Sequence, residues 1–546
     1  MSSRSIGARS RVTVAAGIGA ISVLGTVLAG CSTSSGDTSA DAGPAQSGGT
    51  LRYGLSTAPT CADPAQAGTN QTVYVTRTVV DSLTDQDPET GEITPWLAKS
   101  WDISPDAASF TFTLRDDVTF SDGTPVTAES VKKNFDVVKD LGPNASLAKS
   151  YLSSYTGTEV VDAHTAKINF SGPNVQFLQA TSTPQLGILA DSTTALPSEQ
   201  RCAGAAVVGS GPFVYTDWQQ DRSVAIEKRA GYNWASDVTG HQGEAYLDGV
   251  NFTVVPESGV RAGSVASGQL DAVSDALTQD APQIEAAGGR ILTRPNPGVS
   301  FFFQPNVSRG VLADQAVRQA IIPAINRQEL VDTVLDPSFF PATSPLAHTT
   351  PLYADQSGVV TYDADKAERL LDAAGWKAGS DGVREKDGQK LTFAISFSPA
   401  FAGNQAILEL VQQQLRKVGV DAKLNLLSNG ELTEKQTSGD YDAVYYNATR
   451  ADADILRASF GIDGRNLNKR TADPELDKVL TEQLATTDTT ARGELVAQAQ
   501  ELIIDRGLSI PTIELSQAVG AGASVQDLKF EASSRLQFYD AWLSGK

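Results

Sequence analysis

Hydrophobic positions along the chain change period repeatedly. Phe110, Phe112 and Leu114 alternate with Thr111, Thr113 and Arg115, which predicts a half-buried strand. Ser121-Asp122-Gly123-Thr124-Pro125 is a turn by composition and delivers a helix capped by Thr127, with Val131, Phe135 and Val138 on one face. A strand at Thr50–Leu55 runs into the turn-rich segment 56–64; Val250–Val255 alternates again, and a helical stretch at Gly259–Leu270 precedes Asp271-Ala272-Val273. A second unit begins near residue 276. Its strand Val299–Phe303 leads to a helix over Ala313–Leu335, interrupted at Pro323, and to a helix at Asp363–Ala374. Strands at Leu391–Phe397, Val420–Leu427 and Tyr441–Asn447 alternate with a helix at Gln405–Val418 that Gly419 stops. Helices at Pro474–Leu484 and Arg492–Asp505 precede a strand at Ser509–Leu515, and the apolar tail Phe530–Leu543 packs back on the first unit. The alternation predicts an α/β protein, sheets covered by helices.

The N-terminus carries a different signal. Arg4, Arg9 and Arg11 precede the uncharged stretch Val12–Gly30, which reads as the leader of a secreted protein over residues 1–30. It ends in Leu28-Ala29-Gly30-Cys31, which resembles the bacterial lipobox, so Cys31 is expected to be acylated. Residues 31–49 are rich in Ser, Gly, Ala and Asp without apolar period, a flexible tether. Anchor and tether together imply a body held at the extracytoplasmic face of a cell membrane.

Charge narrows the partners. The 64 acidic residues exceed the 43 Lys and Arg for a formal charge of −21, or −24 without the leader's arginines, which disfavours nucleic acid. Three scattered histidines, His164, His241 and His348, and no Cys pair at ligand spacing argue against a metal centre, and no cofactor is expected. With Cys31 assigned to the anchor, Cys61 and Cys202 remain as a pair in an oxidising compartment, expected as a disulfide. No Gly-x-Ser-x-Gly, Walker loop or His-Glu-x-x-His is present. Ser130-x-x-Lys133 and Ser146-x-x-Lys149 match a Ser-x-x-Lys pair without its companion motifs, so the chain is not read as an enzyme.

Longer motifs carry a resemblance: Trp96-Leu97-Ala98-Lys99-Ser100-Trp101, the run Phe110–Val131 around Asp122-Gly123, Gly209-Ser210-Gly211-Pro212-Phe213, Val317-Arg318-Gln319-Ala320 with Asn326-Arg327, Tyr362–Trp376, and Gly439-Asp440-Tyr441-Asp442. Over nearly all of residues 50–546 the chain resembles the extracellular solute-binding proteins of the oligopeptide, dipeptide and nickel type, capture subunits of ABC importers. The resemblance implies a two-lobe periplasmic-binding-protein-like fold. Lobe one would be 50–275 plus 518–546, with an inserted subdomain at about 80–200, and lobe two 276–517. The chain would cross near 273–280 and 514–520, and the ligand would sit in the cleft between lobes. A monomer working with permease subunits is expected, most simply for oligopeptides, with opine-like, sugar-derived or metal-chelate ligands as alternatives. A surface lipoprotein with no transport role is the remaining class.

Loops after the carboxyl ends of strands line such clefts, which points to Arg450, Asp452 and Asp454, two acids and a base following the strand 441–447. Peptide-binding members of the family typically carry a Trp and then an Asp here; an ungapped match puts Ala448 and Ala451 at those positions, with Asp452 adjacent and Ile455 in place of a Pro. Arg450 suits a carboxylate or phosphate on the ligand by bidentate pairing. Tyr445 and Asn447 share one strand face. Ser56, Thr57 and Thr60 follow the first strand, and Phe303, Gln304 and Asn306 lie on or after the first strand of lobe two. All of these are expected ligand contacts by topology.

Overall fold

A computed structural model describes residues 43–141, 145–335, 337–399, 401 and 403–545. Cys31, the leader and most of the tether lie outside the described residues. The tether's last residues are bonded to the body, Gly48 N–H donating to the Tyr246 carbonyl at 2.8 Å and Gly49 N–H to Asp248 Oδ2 at 2.9 Å.

Two sheets organise the body. The first has seven strands in the order Arg290–Pro295, Ser516–Ala521, Ala272–Ser274, Thr50–Leu55, Gly249–Val254, Ser223–Lys228 and Phe213–Gln219. Thr50–Leu55 is parallel to both neighbours, placing Tyr53 opposite Phe252 and Ala272, and its Leu51, Tyr53 and Leu55 are buried. The second sheet has six strands, Phe340–Pro341, Ile510–Glu514, Gly298–Pro305, Ala443–Thr449, Thr392–Phe397 and Asp421–Leu426. There the helix Asn404–Lys417 links two parallel strands, and Gly419, at φ +83°, reverses the chain after it as the sequence predicts. Each sheet has its own apolar core, one centred on Tyr53, Phe110, Phe112 and Phe135, the other on Phe301, Phe303, Ile395 and Tyr445.

The insert forms a four-stranded sheet, Ala98–Ile103, Ser109–Leu114, Thr165–Phe170 and Tyr155–Asp162, covered by the helix Ala128–Asp140. Phe110, Phe112 and Leu114 point into the core, as their alternation requires, and Thr127 closes a capping box with Ser130. Gly209 and Gly211 fit their loop against the helix that precedes Val80: a Cβ on Gly209 would lie 1.9 Å from the Val79 carbonyl oxygen. The tail closes back on the first core through Phe538, Tyr539 and Trp542, all buried. The helix expected over 313–335 is two helices, Gln315–Ala324 and Arg327–Val334, the second capped by Asn326. Arg327 is buried under this break and donates to the carbonyls of Ile322, Ile325 and Pro511; burial lowers its pKa to about 9.

The lobe boundary differs from the expected one. Arg290–Pro295 pairs along its whole length with Ser516–Ala521, so it belongs to the first sheet, and the outward crossing falls at Asn296-Pro297 rather than at 273–280. Its polar, half-buried sequence gave no sign of which sheet it would join. The return crossing is Leu515, between Ile510–Glu514 in one sheet and Ser516–Ala521 in the other.

A disulfide joins Cys61 to Cys202, 141 residues apart in sequence, and beside it the buried Arg201 and Asp63 form an ion pair at 2.6 Å. The bridge ties the loop after the first strand to the far end of the insert. A C61S/C202S variant is expected to lose up to ~4–5 kcal/mol of unfolding free energy, the loop-closure value for a ring of this size. Denaturant unfolding with and without reductant checks this: wild type in reductant should match the variant, and the variant should not respond.

Candidate functional site

Carboxyl ends of parallel strands from both sheets converge on the region between them. From the first sheet come Ser56, after Thr50–Leu55, and Asp275, after Ala272–Ser274; from the second comes Arg450, after Ala443–Thr449. The two crossings sit beside this region. Asn296 N–H donates to the Leu515 carbonyl at 2.7 Å, Asn296 Nδ2 to Thr449 Oγ1 at 2.9 Å, and Gln517 Nε2 to Asn296 Oδ1 at 3.0 Å. Gln517 Oε1 in turn accepts from Tyr74 and from Asn70 Nδ2 of the helix Asn70–Thr76.

Arg450 reaches from the second lobe into the insert of the first. Its backbone N–H donates to the Pro297 carbonyl, Nη1 donates to Gln176 Oε1 at 3.1 Å and Nη2 to Ser150 Oγ at 2.9 Å, and the guanidinium lies over the Tyr151 ring at 4.9 Å. The side chain is 6 % exposed, and its Nε, buried, has no partner among the described residues. Two further bonds cross nearby: Gln86 Nε2 to the Ala451 carbonyl at 3.2 Å and Val175 N–H to the Leu484 carbonyl at 3.0 Å.

Asp452 and Asp454 take other partners. Asp452 accepts both arms of Arg492, at 2.8 and 2.7 Å; burial alone would raise its pKa, but the Arg492 charge and hydrogen bonds outweigh this and hold it below the usual carboxylate range. Asp454, fully buried, accepts two bonds from Arg457 and one from Gln483. The nearest carboxylate oxygen to Arg450 is Asp454 Oδ2, at 4.0 Å and already shared. Arg450 therefore holds a buried charge whose close partners are neutral.

The remaining expected contacts divide. Ser56 Oγ donates to Asp275, and Thr57 is exposed beside it; Thr60 bonds Thr72 of the next helix. Asn447 is partly exposed, two residues before Thr449 on its strand. Tyr445, Phe303, Gln304 and Asn306 are not in the cleft. Tyr445 is 1 % exposed, stacks on Phe301, packs at a tilt against Phe303 and bonds Thr512. Gln304 binds the Ser459 carbonyl, Asn468 and Tyr446, and Asn306 binds the carbonyls of Gly439 and Tyr441. The reason is strand direction. Gly298–Pro305 begins at the crossing and runs antiparallel to Ala443–Thr449, so its carboxyl end points away from the cleft. Ser150, Gln176, Gln86, Asn296 and Gln517 escaped the sequence reading because they meet Arg450 and its neighbours only through tertiary structure. Asp275 was within reach of the strand-end rule, one residue beyond Ala272–Ser274.

Comparison with known proteins matches this architecture. A family model described as bacterial extracellular solute-binding proteins, family 5 middle, matches residues 92–459. The chain is 25% identical over 441 residues to the nickel-binding periplasmic protein of Escherichia coli K12, covering 79% of this chain and 82% of the relative. It is 27% identical over 472 residues to the probable D,D-dipeptide-binding periplasmic protein DdpA of the same organism, covering 83% and 86%. Among solved structures, NikA from Brucella suis in complex with Fe(III)-EDTA shares the fold with a TM-score of 0.78 at 24% identity, over 91% of this chain and all of that one.

A histidine paired with a buried carboxylate borders the return crossing. Glu514, buried, accepts the His348 backbone N–H at 3.0 Å and His348 Nδ1 at 2.5 Å. This hydrogen bond, partly offset by burial, raises the His348 pKa above 6.5. A raised folded-state value means the pair's contribution is fully present below the unfolded value and lost as pH rises through the folded one. His348→Gln is expected to remove the part of the stability that wild type loses on going upward from pH 6.5, measured as unfolding midpoints across a pH series.

Proposed function

The chain belongs to the bacterial extracellular solute-binding proteins of family 5, substrate-capture components of ABC importers, and from that premise we propose that it captures short peptides, holding the ligand's carboxylate at Arg450. The observation that carries this reading is the buried guanidinium between the lobes, with an unpartnered Nε and only neutral close acceptors. A carboxylate arriving there replaces neutral hydrogen bonds with charge-assisted ones, which are roughly twice as strong. Opening about the two crossings breaks the bonds from Arg450, Gln86 and Val175. Closing over an anion restores the surroundings and excludes water, strengthening the contact in a lower dielectric. The likeness to a dipeptide-binding relative supports a peptide as the solute.

Binding proceeds without turnover, and the ligand leaves unchanged to the permease. The protein works outside the cytoplasm; no helix among the described residues is long and apolar enough to cross a membrane. In this reading acylated Cys31 holds a monomeric body at the membrane through the 31–49 tether.

Native mass spectrometry of protein purified from its source is expected to show a co-purified peptide of unaltered mass. Added peptide should raise the unfolding temperature, by the equivalent of ~2.7 kcal/mol at a hundredfold excess over Kd. Arg450→Gln is expected to abolish that rise, whereas Asp452→Ala, which strands Arg492, should cost about 3–5 kcal/mol of stability in the ligand-free protein. An Arg450→Gln protein that binds like wild type would remove this assignment.

A further inference from the structure

Asp275 is the carboxylate of the cleft that the preceding reading leaves unused. It follows Ala272–Ser274, a strand parallel to Thr50–Leu55 near the middle of the first sheet, and so occupies the strand-end position at which open α/β sheets bind ligands. Its backbone is left-handed, φ +49°, an uncommon conformation for a residue with a side chain and one that clusters at binding sites. Arg261 fixes it there. This buried guanidinium spends itself on four carbonyls at the ends of two strands: Val255 at 2.9 Å, Pro256 at 2.6 Å, Ser274 at 3.1 Å and Asp275 at 2.9 Å. Among the described residues the Asp275 carboxylate itself receives hydrogen bonds only from neutral donors, Ser56 Oγ and Gln71 Nε2, the latter at 2.6 Å, and both fall on Oδ2. Gln71 also donates to Ser56 Oγ at 3.0 Å, so the three side chains form one braced unit. Asp275 is partly exposed, and no hydrogen bond to its Oδ1 is made among the described residues.

We propose that Asp275, braced by Ser56 and Gln71, is the first lobe's subsite for a cationic group of the ligand, a primary ammonium. The second lobe offers no equivalent in its strand-end segment, since Asp452 and Asp454 are spent on Arg492 and Arg457. The lobes thus present opposite charges: Asp275 on one, Arg450 on the other. The helix Asn70–Thr76 lies between them, touching Asp275 through Gln71 and the Asn296–Thr449 junction through Gln517. A zwitterion suits this arrangement, its ammonium on lobe one and its carboxylate on lobe two. The inference rests on the reading that the solute is a short peptide held at Arg450.

Titration calorimetry of the full chain with trialanine, N-acetyl-trialanine and trialanine amide separates the two. Acetylating the amine and substituting Asp275→Asn are each expected to weaken trialanine binding by about tenfold or more, the scale of a lost charged hydrogen bond. Asp275→Asn should also cease to distinguish trialanine from its acetylated form. Asn adopts left-handed backbone readily and still accepts from Ser56 and Gln71, so its ligand-free unfolding midpoint should match wild type. Equal binding of the acetylated peptide by wild type, or discrimination retained in Asp275→Asn, overturns the subsite. If amidation and Arg450→Gln weaken binding while acetylation and Asp275→Asn do not, the carboxylate reading stands and this one falls. Failure of all three peptides to bind wild type overturns both.

Discussion

One antiparallel ribbon carries the chain both ways between the lobes. Arg290–Pro295 pairs with Ser516–Ala521 in the first sheet, and their continuations Gly298–Pro305 and Ile510–Glu514 pair in the second. Only Asn296, Pro297 and Leu515 lie outside both sheets, and Asn296 N–H still bonds the Leu515 carbonyl. Pro297 has no N–H to extend the ladder, and its fixed φ limits how the ribbon bends. Each lobe therefore keeps its own sheet and core, and the backbone between them is confined to these few residues. Because the ribbon enters the second sheet at Gly298, the ends of the parallel strands of that sheet face back toward the first.

Charge in the cleft follows from that geometry. Around the segment 450–457 three arginines meet two aspartates; Arg492 and Arg457 take the carboxylates in paired, two-armed contacts, and Arg450 shares Asp454 at the limit of ion-pair distance. Burying an ion is tolerated when its polar groups are matched, and Arg450 is matched only by hydroxyl, amide and aromatic partners across the lobe boundary. Those partners belong to the insert. The insert thus does more than enlarge lobe one: it supplies the neutral surface against which the arginine rests when the lobes meet.

Local pattern revealed most of the elements and little of their pairing. The alternation at Phe110–Arg115, the cap at Thr127 and the glycine stop at Gly419 each follow from nearest-neighbour chemistry, and all three are seen. The motif resemblance carried the two-lobe architecture. What sequence did not disclose was the allegiance of Arg290–Pro295, whose polar, half-buried pattern suits either sheet. Strand direction is equally hidden: Phe303, Gln304 and Asn306 lie at the carboxyl end of a strand, as cleft residues do, yet that strand runs the other way. Asp452 looks like a free acid in a linear reading because its partner Arg492 stands 40 residues away, whereas the main partner of Asp454, Arg457, is only three residues on. Arg450 does follow the carboxyl end of a strand that runs toward the first lobe, and its side chain reaches Gln176 and Ser150 there.

The bond from Arg450 to Ser150 joins residues 300 positions apart. The first core closes over still longer separations, as between Tyr53 and Phe538, but those contacts lie within one lobe and this one lies between two. Neither lobe's apolar core includes this contact, so the guanidinium is stripped of water only where the two lobes meet. The cost of burying Arg450 accordingly belongs to the contact between the lobes and to neither apolar core.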